Sequence, residues 1–177
     1  MATWNVRTLA AKGKNGPGYA EALLLRARNA GCEIVGLQEV RRGGQGSFEA
    51  AGFTVFFSGS DTGGKHGVGL AVANHILEEN GTSCTPEPAN ERLLKVRMEL
   101  RGKSNKATFI VAYAPTEPST DSDKRQFWST LSDAVTSTPR KDQLYVLMDA
   151  NARTGGREKD ASTAYARALG PYGRHPQ

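Results

Sequence analysis

Cysteine is nearly absent. Only Cys32 and Cys84 occur in 177 residues, far apart, with no CxxC pair and no histidine-rich neighbourhood, which excludes a disulfide framework and leaves zinc without a ligand set. Long hydrophobic runs are missing too. The longest, around Phe53 to Phe57 and Leu144 to Met148, fall far short of the roughly 20 residues that span a bilayer, so no membrane partner is expected. Met1 leads directly into the strand-like Thr3-Trp4-Asn5-Val6 without a basic leader or an apolar h-region, and the expected place is intracellular, nuclear or cytoplasmic. There are no internal repeats and no low-complexity stretches. Charged residues make up 23% of the chain, near the roughly 25% of ordinary soluble proteins, which excludes disorder, coiled coil and collagen as the main state. The length fits one domain.

Lys and Arg number 23 against 18 Asp and Glu, a net charge of +5. A positive balance favours polyanionic partners, because basic side chains release counterions from a phosphate backbone. The basic residues are dispersed, however, with local groups at Arg41-Arg42, from Lys95 to Lys106 and from Arg153 to Lys159, and a solvated face accounts for such groups equally well.

Period and punctuation predict strands over Thr3–Leu9, Glu33–Val40, Phe53–Ser58, Val68–Ala73, Leu93–Leu100, Thr108–Tyr113 and Leu144–Met148. In Leu94 to Leu100 apolar residues alternate with charges, so one face should be buried and the other wet. Ile34-Val35-Gly36-Leu37 and Tyr145-Val146-Leu147-Met148 are apolar on both faces and read as central strands. A first helix is expected from Pro17 to Gly31, with Tyr19, Leu23, Ala27 and Ala30 on its stripe. A second should begin at Thr120, where Asp123 completes a capping-box pattern, bury Phe127, Leu131, Ala134 and Val135, and stop by Pro139. A third, weaker helix is expected from Asp160 to Leu169. Strand, helix, strand at the start predicts a parallel pair, and the strand-rich middle predicts antiparallel pairing. The sum is a mixed α/β domain of stacked sheets with flanking helices.

Chemistry is expected where these strands end in polar groups: Asn5, Glu39, Tyr113, and Asp149 with Asn151. A buried carboxylate without a partner costs several kcal/mol or is neutralised, so acids at the ends of core strands should be paired, metal-bound or facing a cleft. A set of one Glu, one Asp and Asn amides suits Mg²⁺ or Mn²⁺, which keep several waters and are held by one or two carboxylates plus substrate phosphate. Such a site would cleave phosphodiesters by neutralising charge that develops on phosphorus.

Five segments, Thr3-Trp4-Asn5-Val6-Arg7-Thr8-Leu9, Gly36-Leu37-Gln38-Glu39-Val40, His66-Gly67-Val68-Gly69-Leu70, Ala112-Tyr113-Ala114-Pro115-Thr116 and Met148-Asp149-Ala150-Asn151, occur in the order and at about the spacing of the endonuclease/exonuclease/phosphatase superfamily. More narrowly, the chain resembles the apurinic-like endonuclease domain of non-LTR (LINE-type) retrotransposons and the craniofacial-development-protein-2-like proteins. The resemblance runs from Thr3 to about Gly173. It implies a four-layer α/β (α+β) sandwich of two mixed β-sheets flanked by helices. It also implies Glu39 as the carboxylate that binds Mg²⁺ (or Mn²⁺), with Asn5 beside it as a second metal and phosphate contact. Tyr113 would contact the scissile phosphate, Asp149 would align or deprotonate the attacking water, and Asn151 would hold a phosphoryl oxygen. His66, Arg7 and Thr116 would lie against the substrate.

Two departures from the family pattern stand out. Arg7 replaces an acidic residue that apurinic endonucleases often carry near the metal, a replacement shared by the retroelement-like subgroup. The family's C-terminal Ser-Asp-His does not occur, and His175 matches none of its motifs; His75 reads as structural. The resemblance therefore implies residues 1–177 as a single domain incomplete at its C-terminal end, a fragment or degenerate copy whose activity would be weak or lost. The expected function is metal-dependent phosphodiester hydrolysis, as a DNA-nicking endonuclease of retroelement type. The alternatives are the same chemistry on RNA or other phosphate esters, and a non-catalytic remnant that binds nucleic acid electrostatically.

Overall fold

A computed structural model describes residues 1–9, 18–61, 64–78, 83–99 and 106–152. Within them nine strands form two sheets. The first contains β1 (Ala2–Asn5), β2 (Ile34–Gln38), β3 (Gln45–Ala50), β4 (Phe53–Ser58) and β5 (Val68–Ala73) in the order β1-β2-β5-β4-β3. The second contains β6 (Thr85–Asn90), β7 (Leu93–Glu99), β8 (Lys106–Tyr113) and β9 (Gln143–Asp149) in the order β6-β7-β8-β9. β1–β2 and β8–β9 are parallel pairs and every other pair is antiparallel. Both sheets are thus mixed, as expected.

Side-chain alternation builds the four layers. Val68, Leu70 and Val72 of β5 meet Leu94, Val96 and Met98 of β7 and Phe109, Val111 and Tyr113 of β8 between the sheets. On the far side of the first sheet, Leu23, Leu24 and Ala27 of α1 (Gly18–Asn29) cover Val35, Leu37, Val55 and Ala71. On the far side of the second, Phe127 and Leu131 of α3 (Asp121–Thr136) cover Leu93, Ile110 and Ala112. A short α2 (Asn74–Glu78) follows β5. Gly36 marks the closest approach of the sheets, because a Cβ there would lie 2.6 Å from the Cβ of Leu147.

α3 is capped as its sequence requires. The Asp123 backbone N–H donates to Thr120 Oγ1 at 3.1 Å, and the Thr120 N–H donates to Asp123 Oδ2 at 3.3 Å. Pro17 and the expected helix at Asp160–Leu169 lie outside the described residues. Two stripe positions are corrected: Ala30 falls after the end of α1 and is exposed, and Val135 stays 37% exposed because Ala134 takes the inward place beside Leu131.

Larger corrections concern the strands. Among the described residues β9 pairs only with β8, and its Leu144 and Val146 are exposed. The charged face of β7 is wet only at its end, where Glu99 is exposed. Lys95, only 8% exposed, donates to Ser137 Oγ beyond the end of α3, and Arg97 makes a two-pronged ion pair with Asp142 at 2.5 and 2.8 Å, an acid that also accepts from Thr108 Oγ1 at 2.9 Å. Salt-bridged alternation can mimic a solvent face. β3 and β6 were not expected. β3 is polar and turns into β4 through Ala51-Gly52, both at positive φ (50° and 79°), a two-residue hairpin without the usual Asn-Gly signal. β6 carries Pro86 and Pro88, which an edge position tolerates because the missing N–H groups cost no ladder bond there.

Candidate active site

The parallel pairs place four strand C-termini at one end of the sandwich. β1 ends at Asn5, paired in register with Gln38 of β2, whose next residue is Glu39. β8 ends at Tyr113, paired with Asp149, the last residue of β9. Ligand crevices of α/β sheets form beyond such ends. Gln38, 1% exposed, ties the two sheets together just beneath: its Nε2 donates to Thr3 Oγ1 at 2.9 Å and to the Leu147 carbonyl at 3.2 Å.

Asn5 is the hub. Its Nδ2 donates to Glu39 Oε1 at 2.9 Å and to Asp149 Oδ2 at 3.0 Å, joining two acids carried by different sheets. The Tyr113 hydroxyl donates to the same Glu39 oxygen at 2.9 Å, and Arg41 Nη2 reaches Oε2 at 2.6 Å. The Arg7 backbone N–H holds Asn5 Oδ1 at 3.1 Å, while the Arg7 side chain is exposed. Asn151 turns its backbone N–H onto Asp149 Oδ1 at 3.0 Å and its amide onto the Ala114 carbonyl at 2.7 Å. Thr116 is exposed and one loop further out, within 3.5 Å of Ser119 Oγ.

The backbone here is held in a sparsely populated region. Arg7, Glu39, Arg41 and Asn151 all have positive φ, from 44° to 61°, a conformation that costs non-glycine residues of order 1 kcal/mol or more and clusters at functional sites.

Burial alone pushes the Glu39 carboxyl up, but hydrogen bonds from Asn5, Arg41 and Tyr113, with the charge of Arg41, outweigh it and hold the group below the ordinary carboxylate range. The Tyr113 phenol is raised by burial and by its bond to Glu39, with Asn151 partly opposing. Tyr113 therefore stays a protonated donor at neutral pH.

His66 sits behind Tyr113 rather than out in solvent. Its ring lies 5.9 Å from the tyrosine ring, and Arg92 Nη2 stands 3.1 Å from its Nε2. An arginine only donates, so Nε2 accepts and the proton sits on Nδ1, which is buried without a hydrogen-bond partner among the described residues. Burial first, then the charge of Arg92, lowers the His66 pKa from its ordinary 6.5. Below about 6.5 the unfolded chain takes up this proton before the folded one does. The contribution is fully present above that pH and is lost as pH falls through the depressed folded value. The urea midpoint is expected to drop between neutral pH and about pH 5.5, and by less in His66→Gln; equal drops in both proteins would remove His66 from the account.

Arg92 was not singled out in the sequence, and Arg41 stood out there only as part of the basic pair Arg41-Arg42. Arg92 donates to the carbonyls of Tyr113 and Ala114 at 3.3 and 3.4 Å and lies 5.6 Å from the Tyr113 ring centre. No motif marks either arginine; only long-range packing brings them here.

The donor set fits a hard divalent cation. Two carboxylates converge on one amide, and the outer oxygen of Glu39 accepts the cationic guanidinium of Arg41, which matches the one or two carboxylates that Mg²⁺ uses.

Comparison with known proteins gives the fold and the family of the chain. Residues 2–163 match the Endonuclease/Exonuclease/phosphatase family, and the chain belongs to it. Members of this family are hydrolases acting on phosphodiester bonds. Craniofacial development protein 2 of Bos taurus is 27% identical over 158 residues, covering 89% of this chain and 25% of that protein; the chain thus spans about a quarter of such relatives. Among solved structures, D. rerio TDP2 complexed with single-strand DNA product shares the fold with a TM-score of 0.58 at 15% identity, over 85% of this chain and 60% of that one. The endonuclease domain of TRAS1, a telomere-specific non-LTR retrotransposon, does so with a TM-score of 0.53 at 22% identity, over 80% and 59%.

Proposed function

We propose that the chain is a divalent-metal-dependent phosphodiesterase domain that nicks DNA in the manner of retroelement endonucleases. The observation that carries this reading is the single amide of Asn5 bonded to both Glu39 and Asp149. Nothing in the packing of the sandwich requires two carboxylates to be drawn together across its sheets, whereas phosphoester hydrolysis requires acids that share a site.

Glu39 would hold Mg²⁺, or Mn²⁺, with Asn5 beside it, and the cation would supply positive charge for a phosphoryl oxygen. Asp149, its other oxygen held by the Asn151 N–H, would align and deprotonate water. Tyr113, whose one hydroxyl proton goes to Glu39 here, and Asn151 would contact phosphoryl oxygens, with Arg92 and His66 packed against Tyr113. Arg7 and Thr116, at the exposed rim, would meet the flanking backbone. The net charge of +5 and the likeness in fold to the TRAS1 endonuclease and to TDP2 complexed with single-strand DNA product favour nucleic acid as the substrate.

Supercoiled plasmid incubated with the protein and Mg²⁺ is expected to convert to nicked circles, and EDTA to stop the conversion. Turnover is then compared on plasmid, RNA and inositol phosphates. A preference for a small phosphate ester would overturn the DNA assignment, and absence of turnover on all three would overturn the enzymatic reading.

A further inference from the structure

Beside the acid cluster lies a concavity that the hydrolytic groups leave unused. α3 buries Phe127 and Leu131, and Trp128, the next residue round the helix, is 49% exposed. Its ring meets Phe127 edge-on at 5.2 Å and 74°, which fixes one side of the indole while half of the residue stays open. It lines a cleft of about 410 Å³ together with Lys124, Glu117, Pro115, Ala114 and Asn151, a volume in the range of ligand sites.

Three features distinguish this from a stray surface tryptophan. Lys124 lies one turn before Trp128 and so on the same side of α3, and its Nζ donates to the Glu117 carbonyl at 2.8 Å, which anchors the ammonium at the rim. Asn151 forms the opposite wall, and its N–H holds Asp149. The cleft is therefore continuous with the acids. Lys124 and Glu117 nearly cancel in charge, so the site offers little to a phosphate and much to a flat aromatic ring.

We propose that this cleft receives one unpaired nucleobase of a single-stranded nucleic acid, stacked on Trp128, while the adjoining phosphodiester reaches the Asn5–Glu39–Asp149 cluster. The inference rests on the phosphodiesterase reading of that cluster. It makes the substrate a strand whose base next to the scissile phosphate is unstacked, either free or locally opened in a supercoiled plasmid, since a base paired within a duplex cannot present its face to the indole. Stacking on an aromatic ring is tolerant of sequence, so the identity of the base should matter little.

The sequence contains two tryptophans, so Trp4→Phe leaves Trp128 as the sole reporter. With EDTA present to prevent turnover, a short oligothymidylate is expected to quench its fluorescence saturably, and a blunt duplex of the same length to quench it far less. By anisotropy of a labelled oligothymidylate, Trp128→Ala should weaken binding about tenfold with an unchanged slope of log affinity against log salt; Trp128→Phe should retain most of the affinity and serves as the reporter if the alanine variant fails to fold. Equal quenching by duplex, or binding without quenching, would overturn the subsite and leave the phosphodiesterase reading standing. Quenching as expected in a protein that hydrolyses no phosphodiester would do the reverse.

Discussion

Glu39→Ala is expected to lower Mg²⁺-dependent hydrolysis by on the order of a thousandfold, read as kcat/KM on plasmid. Its Oε1 accepts from both Asn5 and Tyr113, and its Oε2 from Arg41, so the substitution removes the metal carboxylate and frees three orienting groups at once. Asp149→Ala is expected to cause a loss of similar size by removing the group that aligns water. The double variant should be hardly worse than either single one, because Asn5 joins both acids and residues that act as a unit are strongly non-additive. The Glu39 side chain is only 15% exposed, so the urea midpoint of each variant is measured beside its turnover to separate lost chemistry from lost folding. Nicking unchanged in both single variants would remove the site.

Phe109→Ala acts on the other side of the balance. Phe109 is 1% exposed, lies mid-strand in β8 and stacks on Tyr145 of β9 with centroids 5.1 Å apart at 13°. Truncation removes the transfer energy of the ring and leaves a cavity between the two sheets, a loss of about 3–5 kcal/mol from a total that is typically about 5–15 kcal/mol. The urea midpoint should fall steeply with the m value unchanged. Activity should fall only in proportion to the unfolded fraction if the protein is assayed where it still folds. A loss below about 1 kcal/mol would mean that the sheets do not pack through this ring.

Much of the scaffold was legible because its signals are local. Thr120 and Asp123 are three residues apart and cap α3 through atoms of that one turn. Val68–Ala73 and Phe53–Ser58 are strands to the residue, since runs of apolar and β-branched side chains bounded by Gly leave the backbone little choice. β3 and β6 escaped because pairing, not propensity, makes them strands: β3 exists through the Ala51-Gly52 turn, and β6 through β7, whose edge tolerates its prolines. The apolar run of β9 reports the composition of a strand and not its place in a sheet, and among the described residues it has β8 as its one neighbour.

The site divides along the same line. Asn5, Glu39, Tyr113, Asp149 and Asn151 stood out in the sequence as polar groups ending apolar strands, and five ordered motifs tied them to the Endonuclease/Exonuclease/phosphatase family that the chain belongs to. Their types and order are sequence properties. That one amide proton pair of Asn5 bridges acids 34 and 144 residues away, that Arg41 and Arg92 close the cluster, that His66 backs Tyr113 instead of facing outward, and that Trp128 opens onto Asn151 are properties of the tertiary structure. The sequence by itself determined which chemistry the strand ends can carry, because side-chain identity sets proton affinity and ligand type. Only the packing of two parallel pairs against each other decided the distances, because hydrogen bonding and charge coupling fall off within a few ångströms and no periodicity in the chain encodes which strand lies opposite which.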